Sequence, residues 1–252
     1  MTTHGRGYFI SELSTDRFGQ LLAEGNVTVL VPVGSVEPHG PHLTLTADTV
    51  ISKAVALRSV DRLRGHVIPV IAPSVPYGVT DYAKGFAGAI SIPAPALSAF
   101  LRGVDEGFLA SGAAHVCLIN NHLEPAQDLA VRAAIEGIDR KKASVACPLE
   151  KRWARTLSDE FKKGECHGGR YETSMLMAYD PRHVDEKARV SLDDVPISLS
   201  EAIDRGVHDF REMGLDKAYA GSPRSASVAE GEELIEKLAT MVAMVILEAM
   251  EL

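Results

Sequence analysis

The amino-acid sequence predicts a layered α/β fold built on a parallel sheet, and three observations carry that expectation. Short apolar runs rich in β-branched residues recur along the chain, helical patterns separate them, and no linker divides the 252 residues. The run "NVTVLVPVG" (26 to 34) is apolar almost throughout and ends on glycine, as befits a strand buried on both faces. "GHVIPVIAPSVPYG" (65 to 78), "AHVCLINN" (114 to 121) and "ASVACPL" (143 to 149) share that character. Between them, "TVISKAVALRSVDRL" (49 to 63), "PALSAFLRGVDEGFLASG" (95 to 112) and "PAQDLAVRAAIEGIDRK" (125 to 141) read as helices. A long final helix is expected from Ala229 to Leu252, and residues 1 to 252 are read as one domain.

Bulk properties narrow the function. A composition of 46% apolar and 24% charged residues belongs to an ordinary globular protein. The net charge of −8, with no basic run, argues against a nucleic-acid partner and for a small-molecule substrate. Cys117, Cys147 and Cys166 are odd in number and widely spaced, which suggests reduced thiols in a cytoplasmic protein. The N-terminal "MTTHGRGYFISEL" does not read as a secretory signal. The longest apolar stretch, "LATMVAMVIL" (238 to 247), is too short to span a bilayer, so no membrane association is expected.

Ligand sites of such folds lie outside the carboxyl ends of the parallel strands. Two polar clusters fall there. In "VEPHG", after the first run, Pro38 keeps the segment extended, so Glu37 and His39 leave on the same side. Asp48 follows nine residues after His39, at the start of a helical pattern that its carboxylate can also cap. In "NNHLE", after the third run, His122 and Glu124 repeat the two-residue spacing. Two histidines and three carboxylates suit zinc, manganese or ferrous iron better than calcium or magnesium. Five protein ligands exceed what one catalytic zinc takes, so two divalent ions sharing a carboxylate is the simpler count. A third cluster, "ECHGGRYETSMLMAYDP" (165 to 181), offers His167 and Glu172 as groups that polarise a substrate, move a proton or orient a ligand.

The segments "VPVGSVEPHGPHLTLTADT", "NNHLE" and "HGGRYETSMLMAYDP" resemble the signature blocks of the creatininase (creatinine amidohydrolase) family, and the likeness spans about residues 27 to 185. The resemblance implies a three-layer α/β/α fold with a mostly parallel central sheet, a binuclear metal centre and hydrolysis of a cyclic amide or related C–N bond. A metal-bound hydroxide would be the nucleophile, and the molecule a homo-oligomer, a hexamer by resemblance. It implies that Glu37 and His122 share one metal, that His39 and Glu124 share the other, and that Asp48 bridges them. His167, Glu172 and Glu124 are then the candidate catalytic residues, with Glu172 also able to serve as a ligand in place of Glu124 or beside it. Zinc and manganese are the expected metals, with iron a further candidate. Asn121 stands where the family has glycine, a position asparagine tolerates. Creatininase proper is thought to enclose its substrate with tryptophans, whereas this chain has only Trp153, so creatinine itself is not the expected substrate.

Plainer readings stand beside these. His42 reads as a structural hydrogen-bonder, and Glu124 could instead open the helix that follows it. Cys166 beside His167 is read as an incidental cysteine. Asp81, Tyr82 and Lys84 either line the pocket after the second run or are solvated loop residues; Tyr82, Lys84 and Trp153 are the pocket candidates. The leading expectation is a cytoplasmic binuclear metallohydrolase of a small cyclic amide. The alternatives are a family member acting on a formamide or a cyclic ketone, and a non-catalytic metal-binding protein.

Overall fold

The computed structural model describes residues 8–252. Residues 1–7, which form part of the segment read as lacking a secretory signal, lie outside the described residues. In chain order the regular elements are β1 (Tyr8–Phe9), α1 (Thr15–Glu24), β2 (Val27–Val33), α2 (Ala47–Leu63), β3 (Ile68–Ile71), α3 (Ala94–Ala110), β4 (His115–Asn120) and α4 (Pro125–Ala134). They continue with β5 (Ala143–Ala146), α5 (Lys151–Ala154), α6 (Asp159–Lys162), α7 (Arg170–Tyr179), α8 (Glu186–Arg189), α9 (Leu199–Asp204) and α10 (Val228–Met250).

Every residue of β2 is buried, which is possible only where helices cover both faces of a sheet. The strand order is β1-β3-β2-β4-β5, and every pairing is parallel. Val29 of β2 lies level with Val70 of β3 on one side and Val116 of β4 on the other. Alternation along the strands divides the core in two. Leu30, Ile71, Cys117, Ile119 and Ala146 face α2, α7 and α10, while Val29, Val31, Val70, Leu118 and Val145 face α1, α3 and α4. The result is a three-layer α/β/α sandwich. Because β3 and β4 flank β2 on opposite sides, the loops after these three strands leave the sheet at one edge, around a topological switch point.

The departures from expectation have local causes. The run from 65 forms a continuous strand only over Ile68–Ile71; Pro73 and Pro76 then deny the ladder two N–H donors, and pairing with β2 resumes only as an isolated bridge between Val75 and Val33. The helix expected to reach residue 141 ends at Ala134, three residues before Gly137 with its φ of +80°. The last run ends at Ala146, two residues before Pro148. A third, smaller apolar cluster was not anticipated: Ala83, Phe210, Met213, Leu215 and Ala220 pack the segment 195–220 over the loop after β3. Among the described residues no helix is long and apolar enough to cross a membrane.

Two contacts matter below. Helix α10 runs so close to α7 that a Cβ at Gly231 would sit 1.9 Å from the Ser174 carbonyl oxygen, so only glycine fits there. On α3, Asp105 is fully buried, and neither carboxyl oxygen has a hydrogen-bond partner among the described residues. Burial pushes its carboxyl up to about 7, from an ordinary 3.8. The folded state therefore holds a proton that the unfolded chain releases, and stability falls as pH rises between those two values. Asp105→Asn is expected to remove that fall. Urea denaturation should show the variant gaining up to about 4 kcal/mol over the wild type at pH 8 and little at pH 4. Parallel curves at both pH values would refute the assignment.

Candidate metal centre

The loop after β2 is stiffened by Pro38 and Pro41 and closed by Glu37 N–H donating to the Leu45 carbonyl at 2.9 Å. It delivers Glu37 and His39, and Asp48 follows in the first turn of α2, where a carboxylate suits the helix N-terminus. The loop after β4 delivers His122 and Glu124. Glu124 sits at the N-cap position of α4, yet its side chain makes no capping bond. Its carboxylate accepts instead from Asp81 N–H at 3.1 Å and Tyr82 N–H at 3.2 Å, in the loop after β3. His167 comes from the turn just before α7, and Glu172 from the first turn of α7. All seven side chains are buried.

Each of three imidazoles is oriented in the same way. His39 Nδ1 bonds the Glu37 carbonyl at 3.2 Å, His122 Nε2 the Val79 carbonyl at 2.7 Å, and His167 Nε2 the Pro38 carbonyl at 3.0 Å. A carbonyl only accepts, so those nitrogens carry protons and the opposite nitrogens face inward. The inward nitrogens meet carboxylates. His39 Nε2 lies 3.1 Å from Asp48 Oδ1 and 3.5 Å from Glu172 Oε2; His122 Nδ1 lies 3.0 Å from Asp48 Oδ2 and 3.1 Å from Glu37 Oε1; His167 Nδ1 lies 3.8 Å from Glu37 Oε1. Asp48 thus presents one oxygen to each of two histidines. Hydroxyls hold the carboxylates in turn: Ser35 donates to Asp48 Oδ2 at 2.6 Å, and Thr80 donates to Glu37 Oε2. Gly168 N–H donates to Glu172 Oε2 at 2.7 Å.

Charge is distributed accordingly. Burial opposes charge on His39, but Asp48, Glu172 and Glu37 outweigh it and push the imidazole up to about 10. Burial is likewise outweighed at His122 by Glu37 and Asp48, which raise it well above the ordinary histidine value. Burial pushes Glu172 up to about 8 and Glu124 up to about 7. His167 goes the other way: burial and the neighbouring His39 bring it down to about 4, so it is neutral. The cluster keeps protons among its donors to offset crowded negative charge. A divalent cation fits the same donors by displacing those protons.

Ligating atoms of Glu37, His122 and Glu124 lie within 4.8 Å of one another, as do those of His39, Asp48 and Glu172, and of Glu37, His39 and His167. This grouping differs from the partition that the resemblance implies. Glu124 is drawn by its N–H donors to the side of Glu37 and His122, while Glu172 reaches His39 from α7. His42, by contrast, bonds Thr173 Oγ1 at 2.9 Å and joins none of these groups.

A cavity of about 350 Å³ opens over the cluster. Its floor includes Glu37, Asp48, His122 and Glu172, and its walls include Tyr82, Leu123, Phe161, Ile203 and Phe210. Two pocket expectations are corrected. Trp153 is buried in the core beside α2 and α10, because the single turn of α5 points it inward, and it does not line the cavity. Lys84 turns its ammonium to Asp81 at 2.8 Å, largely in solvent and away from the lining. Cys166 does reach the cavity, but burial together with Glu172 keeps its thiol well above the ordinary cysteine range, which leaves it a poor nucleophile.

Sequence reading missed Ser35, Thr80 and Phe210. Ser35 stands two residues before Glu37, a signal available in "GSVE"; nothing in "VHDFREM" marks Phe210, whose ring lies 4.5 Å from that of His167.

The profile of a family described as Creatininase: Creatinine amidohydrolase matches residues 11–246. The chain belongs to the creatininase family. It is 33% identical over 218 residues to the mycofactocin precursor peptide peptidase of Mycolicibacterium smegmatis, covering 83% of this chain and 80% of that protein. A crystal structure of creatinine amidohydrolase (creatininase) superposes with a TM-score of 0.78 at 22% identity, covering 96% of this chain and 97% of the other. A manganese creatininase superposes with a TM-score of 0.72 at 21% identity, covering 96% and 98%. As a family member the protein is a metal-dependent hydrolase.

Thr80→Val tests the support of the cluster. Loss of the hydroxyl that holds Glu37 is expected to weaken zinc binding about 10- to 100-fold, measured by competition with a chromogenic chelator, in a protein that still folds.

Proposed function

We propose that the protein is a binuclear metal-dependent hydrolase that cleaves an amide bond, with a short peptide flanked by apolar side chains as the favoured substrate class. The observation that carries this reading is the common orientation of His39, His122 and His167. Each gives its outer N–H to a backbone carbonyl and aims the other nitrogen at buried carboxylates. That arrangement fixes the tautomer of a metal-binding histidine.

Glu37, His122 and Glu124 would hold one ion, and His39 and Glu172 the second, with Asp48 between them. Glu172 enters as a ligand beside Glu124 rather than in place of it. Zinc and manganese suit the mixed nitrogen and oxygen set, with iron a third candidate. Two such ions, when bound, lower the pKa of a water and polarise the scissile carbonyl. The protein supplies the rest. His167, neutral and with Nδ1 facing the carboxylates, is placed to hold a proton and pass it to the leaving nitrogen. Phe210 against its ring, with Phe161 and Ile203, excludes water and favours apolar groups beside the scissile bond. The burial of Trp153 removes the aromatic enclosure expected of a creatinine site, and a relative at 33% identity is a peptide peptidase. Both support a peptide over a cyclic amide.

We further propose that residues 1–252 form one domain, in a cytoplasmic homo-oligomer. An apolar groove along α3 that exposes Tyr77 and Phe100 supports self-association, and the burial of Cys117 and Cys147 supports a reduced setting.

Protein purified without chelator is expected to carry close to two equivalents of divalent metal, and chelation to abolish turnover. Well under one equivalent with undiminished activity would overturn the metal reading. A panel of short peptides, lactams, formamides, cyclic ketones and creatinine is expected to show hydrolysis of peptides with apolar residues beside the cleaved bond. Preferential turnover of creatinine would overturn the substrate class. His167→Asn should lower kcat about 10²- to 10⁴-fold while metal content stays at the wild-type level.

A further inference from the structure

Helix α7 carries Glu172, and its own N-cap residue Gly169 has no side chain with which to close the helix start. The orphan N–H groups are met from elsewhere. Glu160, buried in α6, accepts from Arg170 N–H at 3.0 Å and Tyr171 N–H at 2.6 Å, and also from Ser222 N–H at 2.8 Å. One carboxylate thereby ties together three segments remote in sequence. These are the α6 turn, whose next residue Phe161 lines the cavity, the start of α7, and the strand-like stretch around 220 that holds His167 through Ala220 N–H donating to its carbonyl at 2.7 Å. The fit leaves no slack. A Cβ at Gly221, where φ is +72°, would lie 2.3 Å from Glu160 Oε1.

We infer that Glu160 is a positioning residue for the metal centre, fixing the rotation and height of α7 so that Glu172 reaches His39 and His167 faces the cavity. The chemistry is that of a charged acceptor at a helix N-terminus, with three charge-assisted bonds converging on one group. Glu160 touches neither the ligands nor the cavity, and its effect passes through the backbone of residues 167 to 172. The inference rests on the reading of Glu172 as a ligand. Among the described residues no other charged side chain bonds the Arg170 and Tyr171 amides.

Glu160→Gln keeps the shape but turns an amide NH₂ toward at least one of the three N–H donors, so that donor loses its partner. Zinc titration of the metal-depleted wild type, Glu160→Gln, Glu172→Gln and the double variant tests the assignment, with the Tm of each metal-depleted protein measured alongside. Glu160→Gln is expected to weaken the second zinc about 10- to 100-fold and leave the first unchanged. The double variant should bind like Glu172→Gln within about twofold, because a residue that acts through Glu172 adds nothing once Glu172 is gone. Wild-type zinc binding by Glu160→Gln, or losses that multiply in the double variant, would overturn the inference. A wild type that binds no zinc would instead fail the metal reading on which it rests. Should Glu160→Gln not fold, Glu160→Asp, which keeps the charge and withdraws it by one methylene, takes the same measurements and the same criteria.

Discussion

The structure is organised around the cost of gathering four carboxylates out of water. Glu37, Asp48, Glu124 and Glu172 all lie at most 7% exposed around a common point. Isolated anions in such surroundings would be prohibitive, so each must find positive or donating partners nearby. Backbone amides take Glu124 and Glu172, hydroxyls take Glu37 and Asp48, and imidazoles stand between them. The imidazoles are themselves locked by carbonyls of the loops after β2 and β3. Stability and chemistry therefore draw on the same bonds, and losing a residue that supports a donor disturbs the site as losing the donor does.

The parallel sheet makes this gathering possible. Loops after β2, β3 and β4 emerge at one edge, so groups from residues 37, 80 and 122 meet without long excursions. The opposite wall comes from a different source. Segments 160–172 and 195–220 close over the centre from outside the sheet and supply Phe161, Leu199, Ile203 and Phe210 to the apolar wall. The loops after β2 and β4 and the first turn of α2 thus bring Glu37, His39, Asp48, His122 and Glu124, whereas His167 and Glu172 come from the segment that also walls the cavity.

Much of this was readable in the sequence, and for physical reasons. Strands buried on both faces produce unmistakable apolar runs, so β2, β4 and the helices between them stood out. Glu37, His39, His122 and Glu124 are legible because their two-residue spacing on loops after buried strands aims each pair to one side, and Asp48 because it opens the helix that follows. Legibility fails where the cause is distant. Pro73 and Gly137 shorten elements that periodicity alone would extend. Trp153 is a pocket candidate only by the resemblance to a tryptophan-enclosed site, and the direction of one helical turn sends it to the core. Which carboxylate accompanies which histidine depends on amides at 81 and 82 and on the placement of α7, and neither is local. Glu160 and Phe210 carry no motif, since their partners lie 10 to 62 residues away or are packed only in three dimensions.

The near-contact of α10 with α7 at Gly231 makes a residue remote from every donor atom a lever on the cluster. A methyl group there would have to displace the Ser174 carbonyl or push the two helices apart, and Glu172 stands two residues earlier on the same helix. The spacing between two helix backbones thereby sets how far one carboxylate reaches.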